Sequence, residues 1–179
     1  MILEPLSLPG AYLVTMEPRS DERGWFARSY CVREFSARGI DMQIVQSNVS
    51  FNGRRGIVRG LHYQSAPFEE AKLIRCTRGA IYDVVVDLRR ASATYGRWEG
   101  WELSEGNNRI MYVPRGFAHG YQTLSDESEV FYEMSAFYEP SAAKGVRWDD
   151  PALAISWPDA ANAVVSERDS GLPFLSALQ

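Results

Sequence analysis

The chain consists of short apolar runs separated by turn-forming residues, and this spacing restricts its fold more than any other feature. Runs such as AYLVTM (11–16), AIYDVVVDL (80–88) and RIMYVP (109–114) recur roughly every ten residues, as the strands of an antiparallel sandwich or barrel do. Helical periodicity is brief, in REFSARG (33–39) and PDAANAVVSE (158–167). The pattern predicts one all-β domain over residues 1–179, a jelly roll or barrel with a few short helices.

Several of these runs place polar side chains on a face that a barrel would enclose. Successive side chains of a strand point to opposite faces, so residues two apart share a surface. In AIYDVVVDL one face carries Ile81, Asp83 and Val85. Two other runs have a polar or mixed face, formed by Gln46, Asn48 and Ser50 and by Tyr132, Met134, Ala136 and Tyr138. Antiparallel sheets often expose one face to water, so periodicity alone leaves open whether these residues line an interior site.

Charge and composition exclude several classes of protein. The formal net charge is −4 at pH 7, which disfavours a nucleic-acid backbone as the main partner. No run approaches the roughly 18 apolar residues of a membrane span, and the N-terminal residues lack the pattern of a signal peptide. Cys31 and Cys76 lie far apart without metal-type spacing, so free thiols are expected. These features predict a cytoplasmic protein that binds neither nucleic acid nor membranes.

Two histidines occur in the chain, and one of them is followed by a lysine in the next apolar run. His62 lies in VRGLHYQ (58–64), and Lys72 lies in AKLIRC (71–76). Taken singly, a histidine in a strand is commonly a hydrogen-bonded core or edge residue, and a lysine usually packs its stem on a sheet surface. Together, on neighbouring strands of a barrel, they also suit a base and a cation that face one site.

Motifs along nearly the whole chain resemble those of the dTDP-4-dehydrorhamnose 3,5-epimerase family. In order, they are DERGWF (21–26), VRGLHYQ (58–64), VDLRRASATYG (86–96), VPRGFAHG (113–120) and SERD (166–169). The resemblance implies a cupin-type jelly roll and a homodimer in which N-terminal strands cross between subunits. It also implies catalysis without a metal or other cofactor. The implied substrate is a nucleotide-linked 4-keto-6-deoxyhexose, with dTDP as the expected nucleotide.

The resemblance also implies roles for individual residues. Removal of a hydrogen beside a ketone requires a base and a group that holds the enolate oxygen. His62 matches the family's base, and Asp169 matches the carboxylate that supports it. Lys72 matches the cation near the C4 oxygen, and Tyr132 matches the acid that returns a proton to the opposite face. Asp83 has the parity of an interior residue, and we expect it to orient His62 or Lys72.

A second group of positions is implied to bind the substrate. These are Arg23, Phe26, Arg28, Gln46, Asn48, Arg59, His119, Tyr138 and Arg168. Arginine suits phosphate because its planar fork of donors is permanently charged. The chain departs from the family at Arg28 and Ala143, where glutamate is usual, and at Arg168, where lysine is usual. These departures concern the nucleotide end of the ligand, so the nucleotide's identity stays open.

Two other classes of function remain as alternatives. A metal-dependent cupin enzyme would need two or three closely spaced histidines and a carboxylate, whereas His62 and His119 are far apart in the sequence. A non-catalytic cupin that binds nucleotide sugars would have no need of the acid and base together. The sequence therefore favours an epimerase. It leaves open whether C3, C5 or both are epimerised.

Overall fold

The computed structural model describes residues 1–178, whose strands form two six-stranded sheets and a small hairpin. The strands are β1 (Ile2–Pro5), β2 (Tyr12–Thr15), β3 (Arg19–Asp21), β4 (Gly24–Phe26), β5 (Gln46–Asn52), β6 (Ile57–Gln64), β7 (Lys72–Arg78), β8 (Ala80–Asp87), β9 (Trp98–Ser104), β10 (Arg109–Val113), β11 (Phe117–Thr123), β12 (Ser128–Met134), β13 (Ala143–Gly145) and β14 (Val164–Val165). The helices are α1 (Val32–Ser36) and α2 (Glu167–Ser170), with 3₁₀ turns at Ala160–Asn162 and Leu175–Ala177. The prediction of an all-β fold with short helices is confirmed.

From β5 to β13, successive strands alternate between the two sheets, except that β8 and β9 both belong to the second. The first sheet has the order β1-β2-β10-β7-β12-β5, and the second has the order β13-β6-β11-β8-β9. The strand β14 lies parallel to β6, whereas the other pairs in both sheets are antiparallel. Because β6 and β7 belong to opposite sheets, inward-facing residues of these consecutive strands meet across the interior.

An apolar core lies between the sheets. Ile74 and Met111 contribute from the first sheet, and Ile81 and Val85 contribute from the second, all fully buried. Val84, which has the opposite parity on β8, packs instead in a cluster on the outer face of the second sheet. The alternation predicted for this strand is therefore confirmed, because each face is buried against a different layer.

Chain segments outside the sheets cover parts of both outer faces. Residues 27–44, which include α1, pack on the first sheet, where the Phe35 ring meets the Tyr112 ring edge-on at a centroid distance of 5.9 Å. Residues 146–178 pack on the second sheet, where the Trp157 indole donates to the Trp148 carbonyl at 2.8 Å. These layers bury the outward apolar side chains that they cover, while Val49 and Phe51 on β5 stay exposed. Polar inward-facing side chains lie at one end of the interior. Within residues 1–178, no helix combines the length and the apolar character that crossing a membrane requires.

The strand β12 of the first sheet ends earlier than its side-chain pattern predicts. The alternating run was expected to reach Tyr138, but β12 ends at Met134. Beyond that point side-chain amides replace the partner strand, since the backbone N–H of Tyr138 donates to Gln46 at 3.1 Å and that of Glu139 donates to Gln64 at 2.6 Å. The chain thus leaves the sheet while its backbone donors stay satisfied.

Candidate active site

A cavity of about 290 Å³ opens at the polar end of the interior. Its lining includes side chains from both sheets and the α2 region: Ser50, Arg59, His62, Glu70, Lys72, His119, Tyr121, Tyr132, Tyr138, Lys144 and Arg168. The inward polar faces that periodicity left ambiguous therefore do enclose a site. Small-molecule sites commonly measure roughly 300–1,000 Å³, so this volume suits a group about the size of one monosaccharide.

His62 is held by a carboxylate that is distant in the sequence. Its Nε2 lies 2.8 Å from Asp169 Oδ1, and the second oxygen of that carboxylate accepts the Gly60 N–H at 3.1 Å. The carboxylate is placed by the N-cap of α2, where Ser166 Oγ accepts the Asp169 N–H at 3.1 Å. Burial raises the pKa of Asp169, but the hydrogen bonds from His62 and Gly60 outweigh it and the net pKa is lowered. An ionised Asp169 takes the Nε2–H, which leaves Nδ1 with a free lone pair.

The backbone beside His62 requires a glycine. Gly60 has φ +129°, and a Cβ built on it would lie 2.6 Å from the Cα of Gly120 on β11. The absence of side chains at both positions lets β6 and β11 approach closely. His62 consequently pairs in register with His119, so the distance in sequence between the two histidines does not reflect their distance in space. Even so, no group of three His, Cys, Asp or Glu side chains among residues 1–178 is placed to hold a metal ion.

Lys72 begins β7 and is buried beside a carboxylate. Its Nζ lies 2.9 Å from Glu70 Oε1 and 3.5 Å from the His62 carbonyl oxygen. The second Glu70 oxygen accepts the Gln64 N–H at 3.2 Å. The Lys72 and Glu70 side chains are 10% and 4% exposed, so the ammonium is retained inside by a charge partner. The Lys72 ammonium therefore contacts β6, the strand that carries His62.

The second histidine has its own carboxylate. His119 Nε2 lies 2.7 Å from Asp83 Oδ1. Asp83 is fully buried, and its Oδ2 has no hydrogen-bond partner among residues 1–178. Burial raises the pKa of Asp83 against the opposing influence of His119 and of Lys72 nearby. The sequence predicted that Asp83 orients His62 or Lys72, but its hydrogen bond goes to His119 instead. The strands β8 and β11 pair Asp83 with Tyr121, which makes His119 its diagonal neighbour on the same face.

Tyr132 enters the cavity from the first sheet, facing the second. Burial raises the pKa of its phenol, although Arg59 nearby opposes this effect. The phenol therefore stays protonated at neutral pH and can donate a proton.

Three cations on the cavity wall lack a charge partner. Arg59, Lys144 and Arg168 line the cavity, and none of them forms an ion pair with a carboxylate of residues 1–178. Uncompensated charge at the wall of a cleft attracts anions. The arrangement suits a ligand that carries phosphate.

Two of the predicted binding residues support a third. Gln46 Nε2 donates to Asn48 Oδ1 at 3.1 Å, and Gln46 Oε1 accepts the Tyr138 N–H at 3.1 Å. The side chains of Gln46 and Asn48 face inward on β5, and Tyr138 lies at the cavity. The amide pair thus fixes the backbone that presents the Tyr138 ring.

Three other predicted residues do not reach the cavity of their own chain. Arg23 and Phe26 lie on the exposed β3–β4 hairpin, and Arg28 follows it. Arg23 pairs with Asp21 at 2.5 Å and Arg28 pairs with Glu34, while Phe26 is 74% exposed. The structure therefore separates these residues from Arg59 and His62.

Several cavity residues were missed from the sequence. Tyr121 shares the parity of His119 on β11, and Glu70 lies two residues before Lys72, so period two offered a signal for both. Lys144 had no such signal, because β13 is three residues long and its place beside β6 depends on the fold.

The cavity brings together His62 and Tyr132, which can transfer protons, and the positive charge of Lys72. This combination is typical of cupin-type enzymes that use acid–base chemistry. Residues 5–177 match the family model described as dTDP-4-dehydrorhamnose 3,5-epimerase. The chain belongs to that family. The resemblance, the cupin-type jelly roll and the isomerase class predicted from the sequence are thereby confirmed.

Individual relatives cover nearly the whole chain. A dTDP-4-dehydrorhamnose 3,5-epimerase of Sinorhizobium fredii (strain NBRC 101917 / NGR234) is 42% identical over 178 residues, which are 99% of this chain and 91% of the relative. A dTDP-4-dehydrorhamnose 3-epimerase of Streptomyces niveus is also 42% identical, over 98% of this chain and 84% of the relative. The crystal structure of the 3,5-epimerase of Bacillus anthracis str. Ames, with TDP and PPi bound, has a TM-score of 0.93 and 39% identity, over 97% of this chain and 98% of that chain.

Proposed function

We propose that the protein epimerises a dTDP-linked 4-keto-6-deoxyhexose at C3, C5 or both. The observation that carries this proposal is the placement of a base and an acid on opposite sheets. His62 projects from β6 of the second sheet, and Tyr132 projects from β12 of the first. A sugar ring lying between them would present opposite faces to the two groups. Inversion of a carbon requires removal of a proton from one face and its return to the other.

The first step forms an enolate. His62 Nδ1 takes the proton from the carbon beside the ketone, and the C–H electron pair moves through the carbonyl carbon to leave negative charge on the C4 oxygen. Lys72 stabilises that charge, because an ammonium in a water-poor site interacts strongly with a developing anion. Asp169 stabilises the imidazolium that forms.

The second step restores the ketone. Tyr132 gives its phenolic proton to the same carbon from the opposite face, while the enolate electrons return to that carbon. The phenolate regains a proton from solvent, and the imidazolium releases one. The sugar is inverted at one carbon, and the protein ends in its starting state.

The unpaired cations support a diphosphate on the ligand. Arg59, Lys144 and Arg168 line the cavity and can donate charge-assisted hydrogen bonds to phosphate oxygens. The TDP and PPi bound to the Bacillus anthracis relative are ligands of this kind. The equal identity to a 3,5-epimerase and to a 3-epimerase does not distinguish which carbons react.

Proton NMR in heavy water tests the proposed function. The protein incubated with dTDP-4-keto-6-deoxyglucose in deuterated buffer is expected to incorporate deuterium at C3, C5 or both and to yield the inverted sugar. The position of the label identifies the reacting carbon. Absence of both deuterium and inverted product would mean that the protein is not an epimerase of this substrate.

Substitution of Tyr132 by Phe is expected to separate the two steps. The variant lacks the phenolic proton but keeps His62 and Lys72, so exchange of the substrate hydrogen with solvent should persist while the yield of inverted sugar falls. The measurement is the ratio of deuterium incorporation to epimer formation in the same NMR sample. A wild-type ratio in Tyr132→Phe would assign the proton donor to another group, and Tyr138 at the cavity would be the next to test.

The quaternary structure that fits these observations is a homodimer with an exchanged N-terminal element. On the outer face of the edge strand β5, Val49 and Phe51 are 61% and 55% exposed, which is an unpartnered apolar surface. The strands β1 and β2 complete the first sheet within their own chain. The exposed β3–β4 hairpin is thus the N-terminal element free to cross, and it would carry Arg23 and Phe26 into the partner's cavity.

Complementation between two defective variants is expected to reveal this exchange. Arg23→Ala lacks the hairpin cation, and His62→Ala lacks the base, so each homodimer should be impaired. If the hairpin crosses, a mixed dimer contains one cavity with both groups intact. Refolding the two variants together, which forms mixed dimers, then restores turnover. If Arg23 acts within its own chain, every cavity of the mixed dimer lacks one group and mixing restores nothing.

A further inference from the structure

The guanidinium of Arg59 is held by an asparagine whose orientation the structure determines. Arg59 Nε donates to Asn52 Oδ1 at 2.8 Å, and Asn52 is 1% exposed. Asn52 Nδ2 donates to the backbone carbonyls of Ser50 and Ser128, each at 3.2 Å. Both amide hydrogens are committed to these carbonyls, so the amide cannot be flipped without losing two buried hydrogen bonds. The amide oxygen must therefore face Arg59.

A buried tyrosine closes the same network from the second sheet. The Tyr121 hydroxyl lies 3.0 Å from Ser50 Oγ and 3.4 Å from Asn52 Oδ1. Asn52 and Ser50 belong to β5, whereas Arg59 and Tyr121 belong to β6 and β11. The contacts thus connect the edge of the first sheet to the second sheet across the cavity floor. A network with partners on both sheets keeps each member in one geometry.

We propose that Asn52, supported by Tyr121, is a positioning residue that presets Arg59 to grip one phosphate of the substrate. With Nε committed to Asn52, the two terminal nitrogens of Arg59 have no partner among residues 1–178 and remain as a planar fork at the cavity. A free arginine side chain loses much rotational freedom when it binds a ligand. In this protein the Arg59 side chain is already ordered when the chain folds, so ligand binding costs less conformational entropy. The inference rests on the proposed function, which assigns Arg59 to the diphosphate.

A double-mutant cycle between Asn52 and Arg59 tests the role. The variants Asn52→Ala, Arg59→Ala and the double substitution are titrated calorimetrically with dTDP, and their kcat and KM for epimerisation are measured. Asn52→Ala is expected to weaken dTDP binding about tenfold, as the loss of a hydrogen bond to a charged group does. KM should rise similarly, with kcat within about twofold of wild type. In the Arg59→Ala background, Asn52→Ala should have no further effect.

Two further variants guard against a folding artefact. Tyr121→Phe removes one hydroxyl and keeps the ring, and it is expected to weaken dTDP binding by about two- to fivefold. Glu102→Gln, at an exposed position of β9 that does not line the cavity, should bind dTDP as wild type does. Thermal unfolding of each variant separates loss of fold from loss of affinity.

The outcomes distinguish failure of the positioning role from failure of the proposed function on which it rests. If wild type binds dTDP and epimerises its substrate but Asn52→Ala binds dTDP equally well, the positioning role is wrong and the proposed function stands. An undiminished effect of Asn52→Ala in the Arg59→Ala background would also overturn the role, because Asn52 would then act elsewhere. A wild-type protein that neither binds dTDP nor exchanges deuterium removes the proposed function and the inference together.

Discussion

His62→Ala is expected to abolish both deuterium exchange and epimerisation, with a loss of about 10²- to 10⁴-fold, the contribution typical of one acid–base group. The carboxylate hydrogen-bonded to His62 cannot take over the proton. The carboxylate of Asp169 lies behind the ring and is committed to the Gly60 N–H. The fold should persist, because the His62 side chain is 38% exposed and its removal leaves no closed cavity in the core.

The control for this prediction is Asp169→Asn. This variant keeps His62 but removes the charge that stabilises the imidazolium, so it should lose less activity than His62→Ala and lose it in the same step. Both rates are measured by deuterium incorporation at C3 and C5. Substantial incorporation by His62→Ala would remove His62 from the mechanism.

Lys72→Met is expected to nearly abolish turnover, by about 10²- to 10³-fold or more, because it removes the positive charge opposite the developing enolate. Methionine keeps an unbranched stem of similar length, so packing in the cavity wall changes little. The substitution also leaves the buried Glu70 carboxylate without its partner at 2.9 Å. Loss of one member of a buried ion pair costs about 3–5 kcal/mol of stability, so Lys72→Met should unfold at a lower temperature than wild type.

A second substitution separates the two effects of Lys72→Met. In the variant Lys72→Met/Glu70→Gln the uncompensated charge is gone, so stability should recover while activity stays low. Recovery of activity together with stability would show that Lys72 has a structural role alone. Prolonged chelation of the wild-type protein is the matching control, and activity should be unchanged because Lys72 supplies the charge that a metal would otherwise bring.

Period two predicted which side chains of a strand share a face. It separated Ile81, Asp83 and Val85 from Val84, and it grouped Gln46 with Asn48. This works because the alternation is a local property of extended backbone, independent of what lies on either side. The strand ladder itself ends at Met134, and the Gln46 side chain then accepts the Tyr138 N–H, yet Tyr138 still lines the cavity with Tyr132.

Hydrogen-bond partners followed instead from the register between distant strands. Asp83 contacts His119 because β8 and β11 pair Asp83 with Tyr121, which makes His119 its diagonal neighbour on the same face. His62 and His119 meet because two glycines let β6 and β11 approach. A pattern along one strand contains no information about the strand beside it. The residues that contact His62 from other strands therefore cannot be predicted from their spacing in the sequence.

The sequence by itself determined the all-β architecture and, through the motifs around His62 and Asp169, the family and its chemistry. Tertiary structure decided which cations are available to an anion. Arg23 and Arg28 are paired with Asp21 and Glu34 outside the cavity. Unpaired cations line the cavity, among them Lys144, which no motif marked. Coulomb energy depends on distance in space, and the fold alone sets the distance between a cation and the nearest carboxylate.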